Sequence, residues 1–211
     1  KANYPAQFMA SLLTSDRDDS DRIAIEVQEA RTLGIAVLPP DINESYSTFT
    51  VVRESLSSQP RIRFGLAAIK NVGQNLITAI ITERKAHGPF QDGEDFLRRI
   101  QHHDLNKKSL ESLIMSGACT TLGDAATLLA NLELLLQYNK QAQQDRSSGQ
   151  TSLFMATAVA APKLYLAAAP LLKRRQQLEW ERRLLGLYVS EHPLAKMQQL
   201  PLPDILTVEA A

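Results

Sequence analysis

The spacing of apolar residues along the chain predicts a protein built mainly from short helices. Apolar side chains recur every three or four positions in 5–15 and again in 20–33. Between residues 65 and 123 the same period returns in shorter pieces, separated by Gly, Pro and Asn. Asp124 to Gln144 carries one leucine stripe and predicts a single helix, and Lys173 to Gly186 predicts another.

Three short segments depart from the helical period and predict a small β element. Ile35 to Leu38 favours a short strand that ends at Pro39-Pro40. Tyr46 to Arg53 and Arg61 to Phe64 alternate apolar and polar residues across a Ser-rich loop, which is typical of a hairpin. The predicted fold class is therefore mainly α, with a small β hairpin and strand element.

The segment from Leu66 to Ile80 has the pattern of a helix-hairpin-helix, in which two short helices are joined by a tight turn. Asn71 and Gly73 adopt positive φ at little cost, which would point backbone N–H groups outward at the start of the second helix. Such groups hold a phosphate without reading a base, and Lys70 adds charge. An ordinary helical turn is the alternative. The predicted DNA-backbone ligands are Lys70, Asn71, Val72, Gly73 and Gln74.

A second, degenerate copy of this pattern follows at Leu105 to Ile114. It has helix, polar turn and helix, but its turn contains no glycine. Lys107 and Lys108 stand at the start of its helix and are further candidate phosphate ligands. A helix that only packs and binds nothing explains the pattern equally well, and the sequence leaves both interpretations open.

The pentapeptide Gln150-Thr151-Ser152-Leu153-Phe154 lies between a polar, turn-forming run and an Ala-rich stretch that cannot form a core. A Leu-Phe pair in such a segment is exposed unless another molecule covers it. Gln150, Leu153 and Phe154 have the format of a short linear peptide that docks in a partner's pocket. An accidental apolar dipeptide in a loop is the alternative.

Composition further narrows the classes of protein to which the chain can belong. The length of 211 residues fits one to two domains, and Cys119, as the only cysteine, excludes a disulfide framework or a cysteine zinc cluster. Residues 61–123 carry 9 basic and 6 acidic side chains, a mild excess that suits phosphate contact. No apolar run is long enough to span a bilayer and no signal peptide is evident, so we expect a cytoplasmic location and no membrane partner.

Candidate catalytic chemistry is sparse. The chain offers no separated carboxylate pair, no Gly-rich phosphate loop and no Ser-His-Asp arrangement. The acidic run 16–21 is interpreted as a turn and helix N-cap, because its carboxylates are consecutive. His102-His103 beside Asp104 is a candidate metal group, although solvated turn histidines are the favoured interpretation. We assign no catalytic and no metal-binding residue.

Several stretches occur together in one order: KANYPAQFMASLLTS, GIAVLPPDINESY, IRFGLAAIKNVG, GPFQDGEDFLRRI, LNKKSLESLIMSGA, QTSLF and LLGLYVSEHPL. In this order they resemble the alpha subunits of bacterial DNA polymerase III, the replicative DNA-directed DNA polymerases of the C family. The resemblance covers nearly the whole chain and is weakest in the Ala-rich stretch 155–170.

The resemblance implies four parts: the end of a fingers domain (1–64), a tandem helix-hairpin-helix domain (65–145), a flexible linker with a clamp-binding motif (146–172), and a helix leading to an oligonucleotide-binding domain (173–211). It implies that the Lys70–Gly73 turn holds the template-primer duplex. It also implies that Gln150, Leu153 and Phe154 bind the sliding clamp (beta subunit), and that other holoenzyme subunits associate through the parent protein.

The resemblance places the family's catalytic aspartates and their Mg²⁺ in the palm, upstream of Lys1. The chain begins with Lys1 rather than Met, and we expect a non-catalytic fragment that needs no cofactor of its own. The alternative is a structural or interaction scaffold whose degenerate hairpins only pack helices and do not bind DNA.

Overall fold

The structure is a computed structural model that describes residues 3–53, 59–147 and 164–190. Within these residues the chain forms eight α-helices, three strands and one 3-10 helix, so the predicted fold class is confirmed. None of the helices in the described ranges combines the length and apolar character needed to cross a membrane. The elements are α1 (Pro5–Ser15), α2 (Ser20–Thr32), β1 (Val37–Leu38), β2 (Thr50–Val52), β3 (Arg61–Arg63), the 3-10 helix (Leu66–Ala68), α3 (Gln74–His87), α4 (Gly93–Arg99), α5 (Lys107–Met115), α6 (Ala125–Ala130), α7 (Leu132–Ser147) and α8 (Arg174–Leu185).

The starts of the first two helices follow local chemistry. Pro5 occupies the first turn of α1, where its missing N–H costs nothing. Asp19 is the N-cap of α2, and its carboxylate accepts hydrogen bonds from the backbone N–H groups of Asp21 and Arg22. The interpretation of the acidic run as a turn and helix cap is therefore confirmed.

The predicted single helix over 124–144 is wrong, because α6 and α7 are separated at Asn131. The Asn131 amide nitrogen donates to the carbonyl oxygens of Thr127 and Ala167, each at 2.8 Å. Its amide oxygen accepts from the N–H of Ala167 at 3.0 Å. Asn131 thus pairs with a segment 36 residues further along the chain, a contact that leucine periodicity does not encode.

The three strands form one sheet in the order β1-β3-β2. β2 pairs antiparallel with β3, with Val51 opposite Ile62, which confirms the predicted hairpin. β1 pairs with the other edge of β3 in parallel, with Val37 also opposite Ile62. The central position of Ile62 explains its complete burial.

The sheet and the helices share one continuous cluster of buried apolar side chains, which extends from Ala6 to Val189. Gly65 lies where the strands meet the first hairpin, and a Cβ there would lie 2.6 Å from the carbonyl carbon of Thr48. The close approach arises because the N–H of Leu66 donates to the carbonyl oxygen of Tyr46 at 2.9 Å. The four-part division of the chain stays a prediction.

Candidate nucleic-acid interface

The first hairpin, residues 69–73, connects the 3-10 helix to α3. Asn71 has a φ of 67°, the only positive φ of a non-glycine residue in the described part of the chain, so the predicted left-handed turn is confirmed. Asn tolerates this conformation better than most residues because its side chain is short and polar. The Asn71 amide nitrogen donates to the Ser112 hydroxyl of α5 at 3.2 Å, which ties the turn to the neighbouring helix.

The predicted positive φ at Gly73 is wrong. Gly73 has φ −74° and ψ 148° and serves as the N-cap of α3. An N-cap residue adopts an extended conformation of this kind, because the helix has not yet begun at that position. Gly73 therefore matters for the side chain that it lacks rather than for an unusual backbone angle.

The start of α3 is open as a result. Gly73 has no side-chain oxygen to offer the first N–H groups of the helix, and no side-chain cap forms there. Gln74 and Asn75 are exposed. The first four N–H groups of a helix have no partner within the helix, and the helix dipole adds partial positive charge. This geometry suits an anion such as a phosphate.

The second hairpin, residues 102–106, caps the N-terminus of the helix that follows it, α5. The Asn106 side-chain oxygen accepts hydrogen bonds from the N–H groups of Lys108 and Ser109 at 3.0 and 3.1 Å. The Ser109 hydroxyl accepts in return from the N–H of Asn106 at 2.9 Å, which completes a capping box. The two hairpins therefore differ in what they offer an anion, since the N–H groups at α5 are already paired.

The lysines of the two hairpins also differ. Lys70 is exposed beside the open start of α3. Lys107 forms an ion pair with Glu133 of α7, and this carboxylate holds the pKa of the Lys107 ammonium above its usual range. Lys108 is exposed on the first turn of α5. The Lys107–Glu133 pair is exposed, with 63% and 70% of the two side chains accessible, so a phosphate at Lys107 would share the ammonium with Glu133 or exchange with it.

The other two predicted residues of the first hairpin have separate environments. Val72 is 9% exposed and belongs to the core cluster, so only its backbone faces the turn. The Gln74 side-chain oxygen accepts a hydrogen bond from the Ser47 hydroxyl at 3.1 Å. DNA binding by these predicted residues stays a prediction.

The last turn of α8 supports the first hairpin, a contact that the sequence did not predict. The backbone N–H of Lys70 donates to the carbonyl oxygen of Leu184 at 3.1 Å. Gly186 ends α8 with a φ of 83° and lies against Ser20. The Gly after an amphipathic run does predict the end of α8. It does not predict that this end packs against the first hairpin and Ser20.

His102, His103 and Asp104 form one group of potential metal ligands, with the ligand atoms within 4.8 Å of one another. His103 Nε2 lies 3.1 Å from Oδ1 of Asp104, and His103 is largely exposed. His102 Nδ1 already accepts a hydrogen bond from the N–H of Asp104 at 3.1 Å. The three residues are consecutive in an exposed turn, and one of the potential ligand atoms already accepts a hydrogen bond. We therefore keep the interpretation that these are solvated turn histidines.

The predicted clamp-binding residues Gln150, Leu153 and Phe154 lie outside the described residues. Their assignment therefore rests on the sequence alone, and it stays a prediction.

Residues 34–128 match a family model described as a helix-hairpin-helix motif. The match contains both hairpins and the helices α3, α4 and α5 that surround them. Fold and sequence together define this part of the chain as a helix-hairpin-helix region.

Curated relatives extend the comparison to nearly the whole chain. The chain is 43% identical over 209 residues to the DNA polymerase III subunit alpha of Thermus aquaticus, an alignment that covers 99% of this chain and 16% of the relative. It is 37% identical over 218 residues to that of Saccharopolyspora erythraea (96% and 17%) and 39% identical over 207 residues to that of Deinococcus radiodurans (95% and 15%). The chain thus belongs to the family of DNA polymerase III alpha subunits, which confirms the resemblance, and it spans 15–17% of the length of these relatives.

Proposed function

We propose that this chain holds the backbone of duplex DNA at its first hairpin. The anion site is the open N-terminus of α3, and Lys70 supplies charge beside it. Contacts of this kind fix the position of a duplex without reading its bases. A replicative polymerase, which must accept any template-primer, needs a contact with that property.

The observation that carries this proposal is the contrast between the two helix starts. Asn71 turns the chain so that α3 begins with unpaired N–H groups at an exposed glycine. At α5 the equivalent groups are paired with Asn106. We therefore assign phosphate binding to the first hairpin and a packing role to the second, whose lysines Lys107 and Lys108 contribute at most long-range attraction.

Titration of a short duplex with the Lys70→Glu variant tests this assignment. Lys140→Glu makes the same charge change on α7, where the side chain is also exposed. We expect Lys70→Glu to weaken binding about tenfold or more whatever the base sequence. The slope of log affinity against log salt concentration should fall by about one, which corresponds to the loss of one phosphate contact. Absence of salt-dependent binding by the wild-type chain would contradict the proposal.

We also propose that Gln150, Leu153 and Phe154 tether the chain to the sliding clamp. The support is the apolar pair set between a polar run and an Ala-rich run, together with the family to which the chain belongs. Leu153 and Phe154 would fill a pocket of the clamp while Gln150 makes hydrogen bonds at its edge.

Calorimetric titration with the purified clamp tests the tether. The double variant Leu153→Ala, Phe154→Ala should lose measurable binding, because both apolar anchors are removed. The matched control Thr151→Ala, Ser152→Ala changes the same peptide without touching an anchor and should bind nearly as wild type does. Equal affinities for the two double variants would refute the tether.

We further propose that the chain acts within a cytoplasmic DNA-directed DNA polymerase and contributes binding rather than nucleotidyl transfer. The palm aspartates, their Mg²⁺ and the contacts with other holoenzyme subunits would belong to the parent protein. The relatives are about six times longer than the part that aligns. Primer extension by the 211-residue chain alone would contradict this division of labour.

One observation favours a second candidate, a scaffold whose hairpins only pack helices. Both the self-capped start of α5 and the Lys107–Glu133 ion pair describe a hairpin with its polar groups satisfied internally. If this description held for the first hairpin as well, the duplex titration would show no dependence on Lys70.

A further inference from the structure

We propose that a crevice beside the first hairpin holds a second phosphate of the same DNA strand. This inference rests on the proposed DNA-binding function and extends it to residues outside the helix-hairpin-helix match. The crevice lies between the α1–α2 turn, the first hairpin and the end of α8, and its volume is about 170 Å³. About 10–15 Å³ of such space already admits one water molecule, so the crevice leaves room for a phosphate group.

Two cations and one carboxylate line the crevice, so its lining carries a net charge of +1, while Asp16, Asp19 and Asp21 belong to the turn and helix start beside it. The cations are Arg17 and Lys70, and the carboxylate is Asp18. Arg17 Nε lies 3.7 Å from Oδ2 of Asp18, with 44% and 89% of the two side chains exposed. Exposed pairs of this kind contribute little, so the guanidinium can exchange Asp18 for a phosphate, which its planar fork of donors matches well.

The crevice has rigid walls. Ile23 and Ile69, which line it, are 1% and 2% exposed and belong to the core. At the α8 wall, an added Cβ at Gly186 would lie 2.3 Å from the Cβ of Ser20, a contact possible only for glycine. The Lys70 N–H to Leu184 carbonyl bond of 3.1 Å fixes the same wall to the hairpin. Three separate segments are thus held around one opening.

Lys70 connects the crevice to the open start of α3. Lys70 and Gly73 are three residues apart, so their Cα atoms are separated by at most about 11 Å. Successive phosphates of one DNA strand advance by about 3.4 Å along the helix axis. The helix start and the crevice therefore lie within a few nucleotides of each other on one strand. A strand phosphate at α3 would bring a neighbouring phosphate towards Arg17.

Titration of a short DNA duplex with the full chain over a range of salt concentrations tests the second contact. The variant is Arg17→Ala, and the matched control is Arg98→Ala, which removes an exposed arginine of α4 outside the crevice and the hairpin. Thermal melting of each variant shows that the fold is retained. We expect Arg17→Ala to weaken binding about three- to tenfold and to lower the salt slope by about one, whereas Arg98→Ala changes neither measurably.

The outcomes separate the two proposals. If Lys70→Glu weakens binding but Arg17→Ala behaves as Arg98→Ala does, the crevice is overturned and the hairpin contact stands. If the wild-type chain binds no duplex, both are overturned. Inorganic phosphate at matched ionic strength is the second probe. If inorganic phosphate binds the wild-type chain but not Arg17→Ala while duplex affinity is the same in both, the crevice takes free phosphate and the strand assignment is overturned; competition that removes the Arg17-dependent part of the duplex affinity supports the strand phosphate.

Discussion

The carboxylate of Asp104 in the second hairpin faces the helix start of the first: Oδ2 lies 3.8 Å from the position that a Cβ would occupy at Gly73. A negative charge there is favourable for the dipole of α3 in the absence of a ligand. The same charge repels a phosphate that approaches the N–H groups. The two hairpins are thus coupled through one anion position, at which Asp104 would compete with the phosphate of the proposed DNA contact.

Asp104→Asn should therefore strengthen duplex binding. Unit charges about 4 Å apart interact by about 1 kcal/mol in water, which corresponds to roughly a fivefold gain in affinity. The gain should shrink as salt screens the charges. Unchanged or weaker binding in a low-salt titration would show that the phosphate does not lie at the start of α3.

Asn71 should be replaceable by Gly with less damage than by Ala. Both substitutions remove the hydrogen bond to Ser112. Ala also carries a Cβ, which makes the left-handed backbone conformation of residue 71 less favourable by about 1–2 kcal/mol. Urea unfolding of the two variants measures the difference. An Ala variant as stable as the Gly variant would mean that residue 71 leaves the left-handed region at little cost.

Asn106→Ala tests the assignment of the second hairpin to packing. Loss of the cap of α5 should lower the free energy of unfolding by about 1 kcal/mol. Duplex affinity, measured at a temperature where the variant is folded, should stay as in wild type, because the proposal assigns no phosphate contact to the N–H groups of α5. A clear change in affinity would show that the second hairpin also contributes to duplex binding.

Sequence patterns predicted most of the helices and the left-handed turn at Asn71, because caps, glycines and apolar period are local signals. They failed where the cause is distant in the chain. Asn131 interrupts a leucine-rich segment because Ala167 lies against it. Residue type alone suggested a positive φ at Gly73, whereas its place directly before α3 imposes an extended backbone. Likewise, nothing local distinguishes Arg17 from any other exposed arginine, since the crevice is formed only when α8 packs beside it.

Glu26 should make the stability of the chain depend on pH. Burial of its side chain on α2, with a smaller contribution from a hydrogen bond and the charge of Asp16, raises its pKa from 4.5 to about 7. The folded chain then binds more protons than the unfolded chain between these values, so its stability falls as pH rises from about 4.5 to 7.

Glu26→Gln should remove this dependence, because the neutral amide resembles the protonated carboxyl. We expect the variant to gain stability relative to wild type at pH 8, by up to about 3 kcal/mol, and little at pH 4.5, because each unit of the pKa shift corresponds to about 1.4 kcal/mol. Thermal melting of both proteins across this range provides the measurement. A difference between the two proteins that does not vary with pH would contradict the burial of a titrating carboxyl at this position.

The measurement that tests the central claim most directly is duplex binding by Gly73→Asn. This substitution places at α3 the residue that caps α5, without a change of charge, and the extended backbone of residue 73 accepts it. The side-chain oxygen should pair with the first N–H groups of α3, so the variant should be at least as stable as wild type yet bind duplex DNA about tenfold more weakly. Wild-type affinity in this variant, with the cap confirmed by increased stability, would show that the open start of α3 is not the site that holds DNA.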